Sequence, residues 1–215
     1  MKALFMKEIR LAMHPTAPLF LGLSAMLLIP NYPYGVVFFY TALAVFFTCL
    51  SGRENQDVMF TMLLPVAKRD VVRARMALVL LLEGAQLLAA IPCAMLRSTM
   101  IAAPNMAGMD ANTALFGLAL MELALFNLVF FPAYYRDVRK IGAAFIKGST
   151  AVFGFILLEE AAVHTAPWVR DVLDTPDPQH LPQKLTVLAV GAAMFTVLTL
   201  LARALSIRRF ERMDL

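Results

Sequence analysis

Long apolar blocks dominate this 215-residue sequence, and their length decides what the chain can fold into. Bilayer hydrocarbon is about 30 Å thick, so a helix needs about 20 apolar residues to cross it. Six blocks meet or approach that length, at about 15–30, 34–51, 76–96, 111–132, 143–163 and 185–205. Short charged or proline-rich stretches separate them. A soluble helical protein would need polar faces on its outer helices. None of the six blocks has a continuous one. Composition agrees: 60% of residues are hydrophobic and 16% charged, with mean hydropathy +0.73, whereas soluble domains run nearer half apolar and about a quarter charged. The expected fold is an all-α integral membrane protein, a single transmembrane domain over 1–215 with six transmembrane helices.

Charge placement orients it. Lys2, Lys7 and Arg10, then Arg53, Lys68, Arg69, Arg73 and Arg75, fall on one side of the membrane. Arg136, Arg139, Lys140, Lys147, Arg203, Arg208, Arg209 and Arg212 join them. That is 16 of the 19 basic residues; Arg97, Arg170 and Lys184 are left opposite. Cytoplasmic segments carry the excess of Lys and Arg, so both termini, the 52–75 loop and the 133–140 loop are expected in the cytoplasm. The 97–110 and 164–184 loops then face out, with Trp168 at headgroup level. Blocks one and two are joined only by the turn at Asn31–Pro33.

Two cytoplasmic segments carry a pattern of their own. Residues 1–14 place Leu4, Phe5 and Ile9 at helical spacing against Lys2, Lys7, Glu8 and Arg10, which predicts an interfacial amphipathic helix turning inward at Pro15. The 52–75 stretch, GRENQDVMFTMLLPVAKRDVVRAR, is too long and too patterned for a mere connector. Its residues 54–64 predict a short helix with Glu54 and Asp57 in the first turns, where the dipole favours negative charge. Val58, Met59, Met62 and Leu63 give that helix an apolar stripe, and Pro65 ends it. The stripe suits either a soluble partner or the membrane surface.

Nucleotide chemistry has no site here. No G-x-x-x-x-G-K-[ST] string occurs, so the chain has no usual means of cradling ATP phosphates. Cys49 and Cys93 lie in apolar blocks as small hydrophobes, and His14, His164 and His180 are scattered without metal-ligand spacing. Glu159-Glu160-Ala161-Ala162-Val163-His164 is similar to the Glu-Glu-x-x-x-Arg string of CAAX-type intramembrane proteases. The last residue differs, however, and the later histidine-bearing spans such enzymes need are missing. Glu83 and Glu122 fall near the middle of their blocks, where a charge costs at least ~2.5 kcal/mol. With Gln86 and Asn127 they form either a polar translocation path at a dimer interface or a set of interhelical hydrogen bonds. The former is favoured.

The opening M-K-x-L-x-x-K-E-x-R, two apolar blocks, and then an acidic stretch running into LLPVAKRDVVRARM together resemble the permease subunits of the ABC type-2 transporter family. Members typically read s-l-p-v-s-r-k-d-i-v-x-x-k at this place. Here Leu63, Leu64, Pro65, Val66, Ala67, Lys68, Arg69, Asp70, Val71, Val72 and Arg75 stand there, with Ala67 where serine is common. The resemblance implies an exporter subunit in a bacterial cytoplasmic membrane, paired with a second permease chain as homodimer or heterodimer. Two copies of a cytoplasmic ABC ATPase subunit would carry ATP and Mg, with no cofactor in this chain and no nucleic acid. It makes 1–14 the connecting helix and the 52–75 loop the coupling element between spans two and three, with Glu54, Asp57, Val58, Met59 and Met62 on the ATPase. Arg136 and Asp137 would make a second contact. An amphipathic or hydrophobic substrate (a peptide, toxin or drug) fits. The alternative is a secondary transporter or channel using an intramembrane Glu relay.

Overall fold

In a computed structural model, residues 2–100 and 104–213 are described; 101–103, within the expected 97–110 loop, lie outside them. Eight α-helices follow in order, and the described residues contain no strand. The chain starts with α1 (Lys2–Lys7), which continues as a π-helical turn over Glu8–Ala12. Next comes α2 (Ala17–Gly22), tightening into a 3₁₀ stretch over Leu23–Leu28. The long helices are α3 (Gly35–Glu54), α5 (Lys68–Met100), α6 (Thr113–Tyr134), α7 (Ile141–Thr165) and α8 (Leu181–Glu211), with the short α4 (Asp57–Met62) between α3 and α5.

These five long helices are long and apolar enough to cross a membrane. The expected first span is different. Ala17–Leu28 meets the same criterion only together with Lys2–Ala12, from which it is bent by 81°. One α turn set plus one 3₁₀ set rises roughly 21 Å, short of the hydrocarbon thickness. Pro15 and Pro18 confine the helix start, since proline cannot donate to the preceding turn. The described residues thus hold five spans, or six, as expected, if the bent pair is one span.

The ends of the helices define two ends of the molecule. Glu54, Lys68, Tyr134, Ile141 and Glu211 gather at one, the basic end. There Lys68 Nζ donates to the Met213 carbonyl at 2.6 Å and Arg209 to the Pro132 carbonyl at 2.7 Å. The far end is closed by polar side chains bonded to main chain. Asn112 caps α6, its side-chain oxygen accepting from the Ala114 and Leu115 amides at 2.9 and 3.2 Å, which satisfies helix-start donors. The same side chain donates to the Leu173 and Thr175 carbonyls at 2.8 and 3.1 Å. Asn105 donates to the Tyr32 carbonyl at 2.9 Å, so the first hairpin is held by the loop after α5.

Between the ends, α6 packs most extensively on α8. The contact is close because both helices have a glycine there: a Cβ at Gly117 would meet the Val187 carbonyl oxygen at 2.7 Å, and one at Gly191 would collide with Gly117 backbone. A core of phenylalanines, with Phe126, Phe130 and Phe131 buried, fills the space between α3, α6 and α7. Helices α7 and α8 leave most of their apolar surface uncovered within one chain. Such faces suit lipid or another protein.

Candidate functional site

At the basic end, three separate segments meet around Arg75, near the start of α5. Its side chain is 2% exposed. The Nε pairs with the Glu8 carboxylate on the π turn, and a terminal nitrogen pairs with Asp57 on α4 at 2.8 Å. Lys7 completes the group, 2.5 Å from Asp57 and 3.0 Å from Glu8. Another Arg75 nitrogen rests 3.8 Å from the Cys49 sulfur of α3. Two cations thus face two carboxylates, so the cluster buries no net charge. Buried charges persist when paired in this way, and removing one partner costs ~3–5 kcal/mol because the other is left stranded. The guanidinium fork matters, since its planar donors reach two carboxylates at once.

This cluster joins the amphipathic start, the short helix and the base of α5. Neither Glu8 nor Arg75 stands out as a site residue in the sequence. The available signal was an arginine at the edge of an apolar block with carboxylates in both flanking patterned segments. The pairing needs the fold.

The remaining candidates of the 52–75 stretch fall on different faces. Glu54 does not start the short helix as expected; it ends α3 and lies 3.9 Å from Arg53, both in solvent. The chain turns at Gln56, which adopts the left-handed conformation with φ 52°, and this sharp corner begins a new helix at Asp57. Val58 is buried and Met62 half-buried against the core, while Met59, Phe60 and Leu63 are exposed by 56, 63 and 78%. Six residues make fewer than two turns, so the stripe divides: one side holds α4 to the bundle and the other is left open.

The second expected contact is brought beside the first. A cavity of about 390 Å³ lies between the α3–α4 corner and the turn after α6, lined by Arg53, Gln56, Met59, Arg136, Asp137 and Arg139 among others. Arg53 bridges it, donating to the Arg139 carbonyl at 3.5 Å. Asp137 ties its own turn, 3.4 Å from Arg139 and 3.5 Å from Lys140. Three arginines against one aspartate leave the rim positive, which attracts acidic groups.

The four intramembrane candidates are all enclosed within the single chain. Asn127 donates to Glu83 at 3.2 Å and lies 3.4 Å from the Thr199 hydroxyl, linking α6 to α5 and α8. Gln86 turns the other way and donates to the Val37 carbonyl of α3 at 3.4 Å. Glu122 stands apart: it is buried and neither carboxylate oxygen has a hydrogen-bond partner among the described residues. Of the protease-like string, Glu159 is buried, Glu160 lies against Gly108, and His164 is exposed. Among the described residues no group of three His, Cys, Asp or Glu side chains is placed to hold a metal.

Comparison with known families decides the assignment: the model of the "ABC-2 family transporter protein" matches residues 3–211. The chain belongs to the ABC-2 transporter family. The match runs through α1, the Arg75 cluster and all of α3–α8. It identifies a multi-pass membrane permease, a kind of subunit without a nucleotide-binding domain, and so implies association with an ABC ATPase. No match is found among curated proteins or among solved structures.

Proposed function

We propose that this ABC-2 permease is the membrane half of an exporter, moving an amphipathic or hydrophobic substrate such as a peptide, toxin or drug outward across a bacterial cytoplasmic membrane. Its basic end, with both termini, lies in the cytoplasm. Two copies of a separate ATPase hold ATP and Mg and dock there, and a second permease chain, identical or a sister, completes the pore. The observation that carries this reading is the juxtaposition at the basic end. Met59, on the open apolar side of α4 with the exposed Phe60 and Leu63, lines the positive groove that Arg136 and Asp137 also line. Directly behind it Asp57 grips Arg75 at the foot of α5. A push on α4 therefore reaches a membrane helix through an ion pair rather than through a flexible loop.

In this account Met59, Phe60 and Leu63 insert into the ATPase, and Arg136 with Arg139 meets acidic groups on its surface. Asp57 does not touch the ATPase; it holds α4 to Arg75. Glu54 sits at the edge of the contact. Glu83, Gln86, Glu122 and Asn127 form the polar lining that opens when the helices part.

Co-purification tests the reading. A tagged chain expressed with its partner genes brings down an ABC ATPase, and Met59→Glu with Phe60→Glu releases it while the permease stays folded. Retention of the ATPase by that folded double variant overturns the assignment of the α4 face.

A second reading, a proton- or cation-driven carrier, is favoured by Glu122 alone, since unpartnered intramembrane carboxylates mark relays. It requires transport by the chain without an ATPase under a proton gradient, abolished by Glu122→Gln.

A further inference from the structure

We infer that the far-end cavity between α5, α6 and α8 binds one membrane phospholipid with a primary-ammonium headgroup. The cavity has a volume of about 800 Å³, within the ~300–1,000 Å³ of small-molecule sites. Its two ends differ in chemistry. Leu87, Ile91 and Met95 of α5, Phe116 and Leu120 of α6, and Leu188 of α8 make the part nearer the helix middles wholly apolar. From Leu87 to Arg97 the α5 wall rises roughly 15 Å. The upper end is polar, formed by Arg97, Asp110, Thr113, Asp174 and Asp177. Ile91 and Met95 of its wall are themselves exposed by 44 and 65%, so the apolar part is open at the side to lipid.

The polar end carries more negative than positive charge. Arg97 is engaged by Asp110 at 3.4 Å and by the Tyr34 hydroxyl at 2.7 Å. Lys184 is engaged by Asp177 at 3.0 Å and by the Thr175 carbonyl. Asp174 is left over. It accepts from the Asp110 amide at 2.6 Å but makes no ion pair among the described residues, although it is half-buried and lines the cavity. A carboxylate withdrawn from water needs a counter-charge. A primary ammonium supplies one, with three donors for Asp174 and its neighbours, and the attached phosphate comes within reach of Arg97 and Thr113. The acyl chain below covers the apolar wall. A headgroup with a hydroxyl in place of the ammonium leaves Asp174 unmatched and brings a net negative charge to an acidic rim.

The site titrates accordingly. Burial raises the Asp174 carboxyl to about 6; the Asp110 amide that it accepts from pulls the other way, the Asp110 carboxylate adds to the rise, and Lys184 and His164 oppose it, with Glu160 also within electrostatic range. The ionised form attracts ammonium, so binding is full above about pH 7 and weakens as pH falls through about 6.

Native mass spectrometry of the full detergent-purified chain tests the site, titrated with phosphatidylethanolamine or phosphatidylglycerol of matched chains. At pH 7.5 the ethanolamine lipid binds at least about tenfold more tightly. Ile91→Trp, which fills the apolar part, lowers its affinity about tenfold, and Asp174→Asn removes most of the headgroup preference. Should Ile91→Trp fail to fold, Ser98→Trp at the exposed mouth has the same effect. Equal retention of both lipids, or unchanged binding in the folded variants, overturns the inference. So does displacement of the lipid by O-phosphoethanolamine alone, which would assign the site to a soluble amine.

Discussion

The two ends of this permease are held by different kinds of bond. At the basic end the joints are side chain to side chain: Arg75 to Glu8 and Asp57, and Lys7 to both carboxylates. They connect three helical pieces that share little backbone. At the far end polar side chains mostly grip main chain, with Asn112 on Leu173 and Thr175, and Asn105 on Tyr32 and Met109. Main-chain bonds fix the path of a loop and allow it little freedom. An ionic strut instead lets rigid pieces move together, or part at a defined cost. The contrast is what the proposed coupling at the basic end would need.

Several substitutions would break or sharpen this contrast. The largest effect falls on Arg75→Ala, which strands Glu8 and Asp57 in a buried site and costs ~3–5 kcal/mol. Thermal unfolding in detergent measures it. A variant as stable as the parent would mean that the strut is slack. At the far end, Asn112→Ala removes the α6 cap, worth ~0.5–2 kcal/mol, together with two loop bonds. Its melting temperature falls by less than that of Arg75→Ala, and accelerated amide exchange stays confined to residues near 105–115 and 173–177. Exchange spreading to the basic end would erase the distinction between the ends.

A smaller and pH-dependent effect belongs to Asp174. Its carboxyl titrates at about 6 in the folded chain, above the ordinary value of about 3.9, so ionisation opposes folding. Its favourable contribution is complete below about pH 4 and is lost as pH rises through about 6. Asp174→Asn in lipid-free detergent therefore raises the melting temperature at pH 7.5 and leaves it unchanged at pH 4. The smallest effect is that of Glu54→Gln, which removes an exposed pair with Arg53 worth at most about 1 kcal/mol; stability falls by no more than that and the ATPase stays bound.

What the sequence disclosed follows from what each feature depends on. Apolar length is local, so blocks two to six appear as α3, α5, α6, α7 and α8, with α5 and α8 running past their blocks at both ends. The short helix before Pro65 was also visible, but not its start, because Glu54 belongs to α3 until Gln56 breaks the helix. Block one is less regular than its apolar length suggests. Its prolines mark the ends, while the 3₁₀ tightening over Leu23–Leu28 depends on packing against α5 and α3. Charge partners were hidden altogether. Gln86 lies three residues from Glu83, yet Glu83 is met by Asn127 from another helix, and Gln86 turns to α3. Helical periodicity assigns a face; it does not say which helix arrives there.

The central claim is that the Arg75 cluster passes motion from α4 into the membrane helices. Arg75→Lys keeps the charge but loses the fork that holds Glu8 and Asp57 together. In the complex with its ATPase, spin labels at Leu88 on α5 and Leu185 on α8, both exposed, report distance by pulsed electron paramagnetic resonance with and without ATP. The account predicts an ATP-driven change in the parent that is lost in Arg75→Lys while the ATPase stays bound and active. The same change in both proteins would contradict it.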